Sequence, residues 1–139
     1  YIHGYETEFQ YKLNKLVNLE GSFSATRGEN LTDNSPLYYV PPDKILLSTE
    51  IYLSPFSINL MHKKVFSQNR VGLYEETTPG YETYNLIGTY TIRSTQAIHK
   101  FILQIDNIFD RKYYNHLSRI KSIMPEKGRN IGFQYRLNF

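Results

Sequence analysis

Residues 130–139 read NIGFQYRLNF, and the way these ten side chains are divided decides the fold. Ile131, Phe133, Tyr135, Leu137 and Phe139 fall on one face of an extended chain, and Asn130, Gly132, Gln134, Arg136 and Asn138 on the other, because side chains alternate along a strand with period two. One face is apolar and the other is wet. In a soluble sandwich the apolar face looks at a second sheet; in a transmembrane barrel it looks at lipid while the wet face lines the lumen. Alternation alone leaves both architectures open.

The same alternation recurs upstream. It predicts strands over about Tyr1–Tyr11, Val17–Thr26, Lys44–Leu53, Ser57–Gln68, Tyr81–Ile92 and Ile98–Asp106, with the terminal stretch as the seventh. Their apolar faces include Tyr5 and Phe9; Val17, Leu19 and Phe23; Ile45, Leu47 and Ile51; Leu86 and Tyr90; and Phe101, Leu103 and Ile105. The strand at 57–68 alternates less well, since Met61 and Val65 are out of phase with Ile58, Leu60 and Phe66. A bulge would account for this, and its facing stays open. Residues 27–36 read as a long polar loop, and the prolines of PLYYVPPDK limit pairing as the chain returns.

The predicted connections run short, long, short, long, short, long. In an antiparallel meander this order puts every tight turn at one end and every long loop at the other, as in outer-membrane barrels. A sandwich has no reason to sort its loops by length, so the order favours an all-β, antiparallel up-and-down barrel over a soluble sandwich acting as a binding module. Composition agrees with that choice. Thirteen Tyr and eight Phe without any Trp exceed what a small core absorbs, and Tyr suits positions with one apolar and one wet side. No stretch approaches the roughly 20 apolar residues of a membrane-spanning helix, whereas a barrel strand needs only about 9–11. The absence of Cys removes disulfide scaffolds and thiolate metal sites. A net charge of +3 with dispersed Lys and Arg does not suggest nucleic acid. Single-chain bacterial barrels have even strand numbers, so seven strands point to a segment of a larger barrel.

Several motifs carry a resemblance. GYE at 4–6, PLYYVPP at 36–42, NLIGTYTI at 85–92, DNIFDRKYY at 106–114 and PEKGRNIGFQYRLNF at 125–139, in this order and spacing, resemble the C-terminal barrel region of TonB-dependent outer-membrane receptors. The resemblance implies that residues 1–139 are the C-terminal segment of a barrel with about 22 strands, the plug and N-terminal strands lying outside it. It also implies location in the bacterial outer membrane and energised import, through TonB, of an iron complex (siderophore), haem or another metal species. A passive porin in the same membrane is the alternative without a plug. Outer-membrane lipid, the TonB complex and the barrel-assembly machinery are the partners implied. In such barrels the last strand ends on Phe and is read during assembly, a role that falls here on Asn130, Gly132, Tyr135, Leu137 and Phe139.

No catalytic constellation is present: there is no phosphate-cradling Gly loop, His-Glu-x-x-His, Gly-x-Ser-x-Gly or Cys nucleophile. The chain is therefore expected to be no enzyme and to hold neither cofactor nor resident metal. Tyr113, Tyr114, His116 and Arg119 in the last long loop, with Arg70 in the preceding one, are the candidate contacts for an anionic chelate or haem. Glu75 and Glu76 are expected to be a solvated pair in a polar loop, and Glu6 and Glu8 to face the lumen.

Overall fold

The computed structural model describes residues 1–139. Eight strands form one antiparallel sheet: β1 (Ile2–Lys12), β2 (Val17–Asn30), β3 (Ser35–Pro36), β4 (Lys44–Leu53), β5 (Phe56–Val65), β6 (Tyr81–Arg93), β7 (Ile98–Asp106) and β8 (Asn130–Asn138). The order is β1-β2-β4-β5-β6-β7-β8, with β3 attached to β2 alone. Each long strand pairs with its sequence neighbour, so the meander is up-and-down, and β1 and β8 each keep an unpaired edge. There is no helix and no second sheet, which removes the sandwich.

The three short connections share one end of the sheet. In the first, Asn14 Oδ1 accepts the backbone N–H groups of Leu16 and Val17 at 2.7 and 2.9 Å, an Asx turn that replaces lost ladder bonds. The second is the two-residue Ser54–Pro55 loop with a cis peptide bond. In the third, Ser94 Oγ accepts from Ala97 N and donates to Ala97 O, both at 3.0 Å. The long connections, 31–43, 66–80 and 107–129, gather at the opposite end.

The structure differs from the sequence reading in three places. Residues 27–30 do not begin a loop; they extend β2, whose end pairs with the short β3 through Glu29↔Pro36 and Asn30↔Ser35. The fifth strand stops at Val65 instead of running on to Gln68. It carries no bulge either, because its register with β4 and β6 is continuous from Phe56 to Val65. Met61 and Val65 therefore stand on the wet side beside Asn59, while Ile58 and Leu60 stand on the apolar side.

Register fixes the faces across the whole sheet. One row runs Tyr11, Leu19, Thr49, Leu60, Leu86, Ile105, Ile131, and the next Val17, Ile51, Ile58, Gly88, Leu103, Phe133. Towards the short turns an aromatic row closes this aliphatic band: Phe56 against Tyr90 at 4.8 Å between centroids, Tyr90 against Phe101 at 6.3 Å and Phe101 against Tyr135 at 5.1 Å. Towards the long connections a second set does the same, with His62 on Tyr84 at 4.5 Å and Tyr5 beside Phe23 at 5.5 Å. Phe9 lies over Gly21 on this face, where a Cβ would run into its ring.

Nothing in the chain covers this band. Phe133, Tyr135 and Leu137 are 70%, 48% and 43% exposed, and only 12 of 139 residues are buried. A sheet that exposes a continuous apolar face far exceeds the patches a water-soluble monomer tolerates. The opposite face carries Glu6, Glu8, Glu20, Glu50, Lys12, Lys63, Lys100 and Arg136, and none of the ion pairs involves them. Unpaired charges need water. The two faces thus ask for two different media.

Candidate functional site

Most of the burial lies at the long-connection end, where Val40, Gln68, Gly72, Thr78, Asn107 and His116 are the buried residues of the three connections. Local geometry builds each connection first. Gln68 and Thr78 exchange backbone hydrogen bonds across the neck of the 66–80 connection at 2.9 and 3.1 Å, and Gln68 Nε2 donates to Val40 O at 3.0 Å, tying it to the 31–43 connection. Asn107 donates through Nδ2 to Arg111 O and Lys127 O and accepts from Arg111 N, which closes the base of the 107–129 connection. Asn107 and Asp110 have φ of 50° and 52°, a left-handed conformation that Asn and Asp tolerate. Tyr113 stacks on Tyr81 of β6 at 4.3 Å.

The three connections meet at Glu75. Its carboxylate accepts Lys121 Nζ at 3.1 Å, the backbone N–H of Tyr39 at 3.2 Å and that of Gly72 at 3.4 Å, and His116 Nε2 stands 3.1 Å away. The side chains of Glu75, His116 and Lys121 are 5%, 1% and 9% exposed. Glu75 is therefore the buried junction of three loops. The expectation of a solvated Glu75–Glu76 pair is corrected: 46 residues separate Glu75 from Lys121, and only the fold supplies the partner that makes burial of the charge tolerable. Tyr39 and Tyr74, with φ of 56° and 86°, flank this junction. Such backbone is costly for a bulky residue, on the order of 1–3 kcal/mol each, and persists where surrounding contacts over-determine it. Gly72 is required by close approach, since a Cβ there would lie 2.7 Å from the ring of Tyr38.

The proton positions follow from the partners. His116 Nδ1 is 3.0 Å from Thr78 Oγ1 and 3.3 Å from Lys121 Nζ. An ammonium can only donate, so Nδ1 is the bare nitrogen and the ring proton sits on Nε2, facing Glu75 without a well-directed hydrogen bond. Burial pushes His116 below its ordinary value of 6.5, the neighbouring Lys121 pushes it further down, and Glu75 opposes both. For Glu75 burial works upward, but the Lys121 ammonium and the N–H groups of Tyr39 and Gly72 outweigh it and leave the carboxyl below its ordinary 4.5.

These shifts set a pH dependence. A histidine whose folded pKa is depressed stabilises the fold fully above about 6.5 and progressively less as pH falls towards its folded value. A depressed carboxyl contributes above its ordinary value and loses that contribution as pH falls through the folded one. Both act in the same direction, so acid loosens the junction. Amide exchange in 66–80 and 107–129, corrected for intrinsic rates, is expected to be faster at about pH 5.5 than at about pH 7.5, with β5 and β6 unchanged. Equal protection at both values would refute the arrangement of charges given above.

The candidate ligand contacts are dispersed. His116 is inside the junction and reaches a ligand only if the loops part. Tyr113 is half-buried against Tyr81, Tyr114 lies under Lys112 Nζ at 5.9 Å, and Arg119 is exposed without an ion pair. Arg70 binds Glu29 Oε1 of β2 at 2.6 Å. No cleft gathers the five. Tyr113 lines a polar cleft of about 280 Å³ with Lys63, Asp106 and Glu126, and Arg70 one of about 200 Å³ with Arg27 and Asp43. There is no group of three or more metal-ligating side chains. In β8, Asn130 pairs with Asp106, and the Tyr135 hydroxyl meets His99 Nδ1 at 2.8 Å; Gly132 and Leu137 keep the alternation, and the ring of Phe139 is fully exposed.

No protein-family model matches the sequence. Among solved structures, the copper transporter OprC is similar to this chain, with a TM-score of 0.84 and 24% sequence identity over 98% of it. The chain spans 22% of the length of that protein's chain. At this identity the likeness concerns the fold, which the two share.

Proposed function

We propose that this chain is a wall segment, with closing strand and outer loops, of a TonB-dependent outer-membrane barrel that imports a scarce metal species. The observation that carries the reading is the exposed apolar band, bracketed by aromatic rows and backed by a face of hydrated, unpaired charges. Lipid outside and water inside satisfy both faces at once. The two unpaired sheet edges ask for further strands, and the fold shared with a fraction of a longer transporter supports a segment of a larger barrel. On this reading β8 pairs with the first strand of the barrel during assembly, and the chain does no covalent chemistry.

Iron chelates and haem stay in the proposal from the sequence resemblance, and copper joins them through the printed name of the similar structure. The experiment is uptake by cells producing the full-length protein, supplied in turn with a copper salt, a ferric siderophore and haem, with and without TonB. TonB-dependent accumulation of one of them is the expected result. Accumulation that ignores TonB identifies a passive pore, and a full-length protein recovered from the aqueous fraction would end the membrane reading.

A further inference from the structure

Resting on the membrane reading, we infer that the cleft on the apolar face at the long-connection end binds the phosphate-bearing head group of an anionic membrane lipid. The cleft has a volume of about 510 Å³ and is lined by Lys64, Phe66, Glu82, Tyr84, Phe109 and Arg111, among others. Register puts Lys64, Glu82 and Tyr84 on the same face as Leu60 and Leu86, and Phe109 packs edge-on against Tyr84 at 5.3 Å. The site therefore opens on the side that meets hydrocarbon, just beyond the aliphatic band.

The charge arrangement selects the occupant. Glu82 is occupied by Lys64 Nζ at 2.9 Å and by His62 Nε2 at 3.2 Å. The guanidinium of Arg111 has no ion pair and no hydrogen bond; only its backbone is held, by Asn107. Asp110, its neighbour, is turned to the backbone N–H of Arg129 at 2.7 Å. Lys64 also lies 5.6 Å from the centroid of the Phe66 ring. A free cation on a platform of aromatic rings, next to a band that acyl chains would cover, complements an anionic head group and not a neutral one. Arg suits phosphate because its planar donors match the oxygens, and aromatic rings suit the head-group level. The acyl chains then run down over Leu60, Leu86 and Ile105.

The test uses the full-length barrel in detergent micelles doped with phosphatidylglycerol or with phosphatidylcholine, and counts retained lipid by native mass spectrometry. Retention of phosphatidylglycerol over phosphatidylcholine is expected. The K64Q/R111Q variant should lower phosphatidylglycerol affinity about thirtyfold, since each basic side chain at an anionic surface is worth on the order of fivefold. Lys100→Gln, on the opposite face, should change nothing. Heat-modifiable gel mobility confirms that each variant is folded, and if the double variant is not, Arg111→Gln carries the test, because its guanidinium holds nothing in the fold. Equal retention of the two lipids, or unchanged affinity in the variant, overturns the inference. Binding of inorganic phosphate with the same affinity without lipid overturns the lipid as its source. A protein that never enters the micelles overturns the membrane reading instead.

Discussion

Leu60→Arg is expected to destabilise the folded barrel by about 2–4 kcal/mol, the cost of a cation facing the middle of the hydrocarbon layer. Leu60 is at the centre of β5 and is already 44% exposed in the isolated chain. If water were its medium, arginine there would be a surface change worth less than about 0.5 kcal/mol. The two media thus predict results that differ severalfold at one residue. Thr89→Arg supplies the comparison, because Thr89 pairs with Ser57 and Ile102 on the wet face, where an added charge stays hydrated. Denaturant unfolding of the full-length protein from lipid vesicles reads both. A Leu60→Arg protein as stable as Thr89→Arg would mean that hydrocarbon does not cover the apolar band.

Glu75→Ala should cost the loop cap about 3–5 kcal/mol, the usual penalty for removing one partner of a buried ion pair. The substitution strands the Lys121 ammonium, leaves the N–H groups of Tyr39 and Gly72 without their acceptor, and removes the carboxylate that anchors Tyr39 in left-handed backbone. The loss is local, so the sheet should keep its stability while proteolysis within 31–43, 66–80 and 107–129 accelerates together. Simultaneous opening is the distinguishing sign, because a carboxylate serving one loop would free only that loop. Lys121→Ala in the same background should recover part of the loss by removing the orphaned charge. Cleavage confined to 66–80 would show that Glu75 does not join the three connections.

The faces of the sheet were readable from residue order. Alternation assigned Leu47, Leu86, Leu103 and Phe133 to one side, and the register confirms each, because a period of two is a property of the backbone and survives any tertiary setting. At β5 the pattern misled, since Met61 and Val65 are apolar residues on a wet face, and periodicity cannot tell a tolerated apolar residue on that face from a shifted register. Pairing also reached beyond what pattern showed: Arg27–Asn30 look like loop and are strand, because β1 partners Arg27 and Gly28 through His3 and Ile2 and β3 folds back to partner Glu29 and Asn30.

The candidate site was less legible still. His116 stood out by residue type, but its neighbours Glu75, Thr78 and Lys121 carry no sequence signature, being brought together from two connections separated by β6 and β7. The free Arg111 is equally invisible in a list of scattered cations, since its lack of a partner is a fact about space.

Local chemistry alone determined the seven long strands, their two-sided character and the sorting of turns by length, all of which depend on near neighbours and on the pleat. Tertiary structure decided which loop charges are buried, which are paired and which are left free. Those outcomes depend on distances between residues far apart in the chain, and an ionised side chain can leave water only where the fold has already placed its counterpart.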